Sequence, residues 1–267
     1  MKKIILALML AACSLFSNTL TQIKEKGVIR IGIDGSSPPF SVAKAGEYSG
    51  FEILLIEGLV KEIFGDKGSK IQYVVTVGDD RIKAVQDNRV DLDIALISVT
   101  KEREKLVDFS DPYFSVNIGV LTRSDDNIRK VSDLNGKTIL AQPGTTVFDY
   151  FTKQGYNVVP CASANECFND LKSGKGDGYG DDNLLVFAYA VVDYKVEVNI
   201  KNLGSTDFLA IAVQKGNTEL LNAVNAGLIE LSKKGFFTKI FDESIEPFYK
   251  GTIDKKYFLL DDLYSLF

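Results

Sequence analysis

Short apolar runs alternate along this chain with longer stretches in which apolar residues recur every three or four positions. The runs at 28–33, 71–77, 94–97, 116–122, 138–141, 157–160 and 208–213 predict strands. Between them, 51–64, 80–88, 145–151, 165–173, 184–190 and 218–234 have helical spacing, the last stopped by Gly235, and 236–241 adds a short helix. The segment 196–203 continues the second half of the pattern. Such alternation predicts a doubly wound α/β fold, in which ligands sit beyond the C-terminal ends of the strands. With 267 residues, two small lobes suit the chain better than one core. Pro38 and Pro39 forbid helix and ladder alike, so 34–40 is a loop at the end of the first strand.

Polar residues gather at those strand ends. After 94–97 come Ser98 and Thr100, with Arg103 one helical turn on. A guanidinium there offers a planar fork that matches a carboxylate and stays charged at physiological pH. The same residue also reads as a solvated member of the charged run 101–105. After 138–141 the turn Gln142-Pro143-Gly144-Thr145-Thr146 opens a helix, and free N–H groups at such a start attract anions, although a plain N-cap at Thr145 needs no ligand. Asp182 stands at another strand end, where it reads equally as a helix cap.

Composition narrows the classes. A net charge of −5, a pI near 5.0 and no basic stripe argue against nucleic acid as a partner. Histidine is absent, which removes His metal sites and every Ser-His or Cys-His triad, and no Walker A or dinucleotide fingerprint is present. No cofactor is expected. The first residues, MKKIILALMLAACSLFSNT, read as a secretory signal over 1–19. Leu10-Ala11-Ala12-Cys13 also fits a lipobox that would make Cys13 a lipid anchor, while a cut near Ser17-Asn18-Thr19 would release a soluble periplasmic protein. No later run is long enough to span a membrane.

In order, the stretch 91–113 reads D-x-D-I-x-x-x-S-x-T-x-x-R followed by V-D-F-S-D-P-Y, and 174–182 reads G-x-x-D-x-x-x-x-D. This set resembles the periplasmic binding proteins of polar amino acid ABC importers, over about residues 23–241. The resemblance implies a two-lobed type II binding protein. One lobe comprises 20–114 and 209–267, the other 115–208, with two hinge crossings near 113–117 and 205–209. It implies that Arg103 holds an α-carboxylate beside Ser98 and Thr100, that the turn with Thr145 and Thr146 donates to that group from the other lobe, and that Asp182, rather than Asp181, takes the ammonium. A membrane permease would be the partner.

Many relatives place aromatic rings where Ser37 and Gly78 stand here, in the loop that begins at Asp34 and in Gly78-Asp79-Asp80-Arg81. Without those rings, Arg81 and Gln142 would face the ligand side chain, favouring acidic or sulfur-containing amino acids; Arg81 also reads as a solvated residue on a first helical turn. A dehydratase of the same fold, acting on prephenate or arogenate through Asp34 or Asp181, is the alternative. Cys161 and Cys167 could bridge in an oxidising compartment, which their spacing permits without requiring. The tail 246–267 must pack somewhere, most simply on the first lobe.

Overall fold

The computed structural model describes residues 18–65, 68–250, 253 and 258–259. Its first lobe is built on a five-stranded sheet in the order Lys70–Val75, Val28–Ile33, Leu92–Asp93, Ala212–Gln214, Val107–Phe109. The strand Val28–Ile33 runs parallel to Lys70–Val75 in one register from Val28↔Lys70 to Ile33↔Val75, and Ala212–Gln214 returns antiparallel to both its neighbours. Ile29, Ile31 and Ile33, alternate residues on one face of that strand, are fully buried. Helices Phe51–Phe64, Thr218–Lys233 and Phe236–Ser244 close the main core. Gly227 sets how closely the first two approach, since a β-carbon there would lie 2.6 Å from Leu59 Cδ1.

The second lobe repeats the plan, with strands in the order Asn157–Pro160, Thr138–Ala141, Gly178–Asp182, Phe114–Arg123, Val196–Leu209. Helices Thr146–Lys153, Ala164–Ser173 and Asn183–Val192 cover it. Its last two strands are long and antiparallel, and their ends nearest the first lobe pair Phe114 with Leu209 and Ser115 with Phe208. These two strands carry the chain between lobes. Cys161 and Cys167 are joined in a disulfide across the strand-to-helix turn, with their Cα atoms 5.2 Å apart.

Not every expectation holds, and 208–213 is divided between Val196–Leu209 and Ala212–Gln214 rather than forming one strand. Residues 94–97 are buried but form no strand, because the ladder stops at Asp93 and Leu96 adopts a left-handed φ of 54°. The Leu96 N–H donates to buried Glu52 Oε1 at 2.9 Å, and the Ala95 and Leu96 carbonyls accept from Arg81, so side chains replace the strand partners. The leader assigned to 1–19, with Cys13, lies outside the described residues except for its last two. Of these, Thr19 caps helix Leu20–Lys26 and Asn18 donates to Asp91 at 2.8 Å. The tail, where described, packs against both lobes rather than the first alone: the Phe258 ring stacks on Phe114 with centroids 5.9 Å apart, its carbonyl accepts from the Ser115 N–H at 3.0 Å, and the Tyr249 hydroxyl donates to the Leu184 carbonyl.

Candidate functional site

Between the lobes lies a small pocket of about 30 Å³, partly open to solvent. Asp34, Ser37, Arg81, Ser98, Arg103, Gln142, Thr145, Thr146 and Asp182 all line it. Thr100 does not. It faces a wider outer cleft, where its hydroxyl accepts the Arg103 N–H at 3.2 Å and fixes the start of the turn that carries the guanidinium. The apolar lining, Leu96, Val147, Ala164 and Leu185, escaped the sequence reading. Each adjoins a strand end or helix start already marked by polar residues, and that adjacency was the available signal.

The two cationic groups are engaged differently. Arg103 donates from Nη1 to the Ser98 carbonyl at 2.7 Å and from Nη2 to the Gly144 carbonyl at 3.0 Å. A guanidinium has five N–H groups, so three remain, enough for a two-pronged carboxylate bond. Burial and the neighbouring Arg81 push its pKa down to about 10, which leaves it charged. Arg81 makes four bonds to carbonyls: Nε to Gly78 at 2.9 Å, Nη1 to Ala95 at 3.0 Å and Leu96 at 2.9 Å, and Nη2 to Gly144 at 3.1 Å. One N–H is left. The expected fork toward a ligand side chain is therefore largely occupied by backbone.

The carboxylates divide as clearly. Asp34 Oδ1 accepts from the Ser36 N–H and from the hydroxyls of Ser36 and Ser37. Asp181 accepts from the Tyr179 hydroxyl and, at 2.8 Å, from the Asp182 N–H. Asp182 stands at the N-cap of helix Asn183–Val192 yet makes no side-chain cap bond, so its carboxylate is uncommitted at 8 % exposure. Burial, then the Asp181 charge, raise its pKa well above the usual carboxylate range. An ammonium beside it would restore the charged form.

The last wall is the turn before helix Thr146–Lys153. Thr145 Oγ1 accepts the Phe148 N–H at 3.1 Å and donates to the Gln142 carbonyl at 2.8 Å, so this hydroxyl is a cap. The first-turn N–H groups that follow have no partner within the helix and are what an anion could use. Anion donors thus converge from both lobes, with one free carboxylate in the same pocket. No group of histidine, cysteine and acidic residues suited to a metal occurs among the described residues.

The fold has close counterparts. A solute receptor for L-cysteine from Neisseria gonorrhoeae superposes with a TM-score of 0.86 at 36% identity, covering 91% of this chain and 99% of that one. A cysteine-binding protein from Campylobacter jejuni gives 0.85 at 35% identity, covering 90% and 98%. A glutamine-binding protein of an ABC transporter from Bacillus subtilis is 29% identical over 234 residues, 86% of this chain and 85% of that protein. Residues 29–246 match the model of a single family, and the chain belongs to the bacterial extracellular solute-binding proteins, family 3.

Proposed function

We propose that this protein captures a small polar L-amino acid, L-cysteine foremost, between its lobes outside the cytoplasmic membrane and delivers it to an ABC permease. One observation carries the reading: a guanidinium with three N–H groups to spare and a buried carboxylate uncommitted among the described residues, from opposite lobes, line one small pocket. These complement an α-carboxylate and an α-ammonium. The first-turn N–H groups after Thr145 complete the carboxylate's shell from the second lobe.

The rest of the pocket limits the side chain. Its free space is small, and a β-carbon at Gly78 would already lie 3.0 Å from the Pro143 carbonyl, which argues against arginine, aromatic residues and cystine. A side-chain carboxylate would ask Arg81 for two donors where one remains. Cysteine asks for none. Two of the similar solved structures are of cysteine receptors, which supports the same choice. Calorimetry of ligand-stripped protein against the twenty amino acids and cystine, under reducing conditions for cysteine, tests this. L-cysteine should bind tightest, and tight binding of a basic or aromatic amino acid would reject the assignment.

Enzymatic dehydration is the weaker reading, because both carboxylates it would use, Asp34 and Asp181, are tied into hydrogen bonds within their own loops. Incubation with prephenate or arogenate should yield no product. Anchoring through Cys13 is supported by Asn18 and Thr19, whose contacts a cut at 19 would delete and a cut before Cys13 would spare. Mass spectrometry of the mature N-terminus distinguishes the two.

A further inference from the structure

The amino acid reading leaves the second guanidinium of the cleft without a ligand group to hold. Arg81 is 7 % exposed, and no ion pair to it occurs among the described residues, yet four of its N–H groups are placed on carbonyls. Gly78, Ala95 and Leu96 belong to its own lobe and fix the side chain whether or not a ligand is present. The fourth acceptor, Gly144, belongs to the other lobe and also accepts from Arg103. One carbonyl of the second lobe is thus gripped by two cations of the first.

The backbones are shaped for this approach. Gly144 has φ +78°, and a β-carbon there would lie 2.5 Å from Asp79 Oδ1 and 2.6 Å from the Asp79 nitrogen. Gly78, at φ +55°, meets the Pro143 carbonyl from the other side. Glycines on both sides let main chain reach main chain across the cleft, a contact that exists when the lobes are together and is lost when they part.

We propose that Arg81 is the latch of the closed state, a positioning residue that holds the Gly144 carbonyl of the opposite lobe and leaves ligand recognition to Arg103 and Asp182. The proposal rests on the amino acid-binding reading above. A bond made only on closure changes the open–closed balance by the same factor whichever ligand is bound. A charged donor on a carbonyl is worth about tenfold in such a balance. A residue that read the ligand side chain would instead change the order of preference.

Arg81→Met and Arg81→Lys, stripped of ligand, separate these roles. Calorimetry with L-cysteine, L-serine, L-alanine and L-aspartate should show every measurable affinity reduced by one common factor, about tenfold for Arg81→Met and less for Arg81→Lys, which keeps a charged donor. Small-angle scattering should find ligand-free Arg81→Met more open than ligand-free wild type, and the two alike at saturating cysteine. A loss confined to one ligand, or unchanged affinities, would overturn the latch. Should Arg81→Met fail to fold, Arg81→Lys carries the same comparison. Wild type that bound none of the four would overturn the amino acid reading instead. The ligand-free scattering of wild type against Arg81→Lys would then still decide the latch, equal curves overturning it and a more open variant supporting it.

Discussion

Arg103 and Asp182 were legible as chemistry from sequence because each stands within an ordered motif, Asp182 at a strand end and Arg103 after an apolar run, but their roles rested on which bonds their neighbours make. Asp181 and Asp182 are adjacent, both buried and both acidic. Only the Tyr179 hydroxyl and a backbone N–H, invisible in sequence, show that the first is spent and the second free. Arg103→Ala should cost about 2 to 5 kcal/mol of ligand affinity, the usual cost of breaking a desolvated charge pair on one side. Arg103→Lys keeps the charge but not the fork and should recover only part of it. Asp182→Asn should weaken binding without lowering the melting temperature of the ligand-free protein, since no cap bond is lost. A variant that melts early and binds normally would return Asp182 to the role of a cap.

At the scale of elements, the regular strands and helices followed the apolar spacing closely, because each buries one consistent face. Two runs depart from it: 208–213 is split between Val196–Leu209 and Ala212–Gln214, and the apolar run 94–97 becomes a turn, since Glu52 and Arg81, 44 and 14 residues or more away, take over its backbone groups. Long-range side-chain partners leave no local mark on hydrophobic periodicity. The Cys161–Cys167 turn was legible as an option, and the fold brings the pair together beside Ala164, which lines the pocket. Its ring is short, so replacing both cysteines by serine should cost about 2 kcal/mol of stability and no more. Chemical denaturation in the absence of reductant measures that loss. Because the disulfide also ties the start of helix Ala164–Ser173 to the preceding strand, a modest fall in cysteine affinity should accompany it.

The whole molecule carries an electrostatic load that no single element reveals. Burial raises Glu52 and Asp93 from ordinary carboxylic values of 4.5 and 3.8 to about 8, with hydrogen bonds to Tyr113 and Leu96 partly offsetting it at Glu52. Asp181 is raised to about 6 by the same cause, and Asp182 also lies high. A carboxyl group whose folded pKa exceeds its unfolded value keeps its proton longer in the folded chain, so stability falls as pH rises between the two values. For Glu52 and Asp93 that window runs from about 4 to about 8. Asp108, Asp133 and Asp193 are lowered instead, and so contribute with the opposite sign, but below the ordinary carboxylate range and at the surface. They do not cancel the slope at neutral pH. Ligand-free protein should therefore be most stable near pH 5, weaken up to about pH 8, and level off by pH 9, once Glu52 and Asp93 have ionised in the folded chain as well. Asp93 offers the sharper test, because it is fully buried with the Thr76 hydroxyl set against it. Asp93→Asn removes the ionisation, so it should flatten the profile and gain on wild type as pH rises from about 5 to about 8, by up to about 1.4 kcal/mol for each pH unit over which only the folded chain keeps the Asp93 proton. Urea denaturation of both proteins at pH 5, 7 and 9 reads this directly. Wild-type stability that climbed across that range, or an Asp93→Asn profile as steep as wild type, would show that these carboxyl groups ionise inside the folded protein as they do in the unfolded chain.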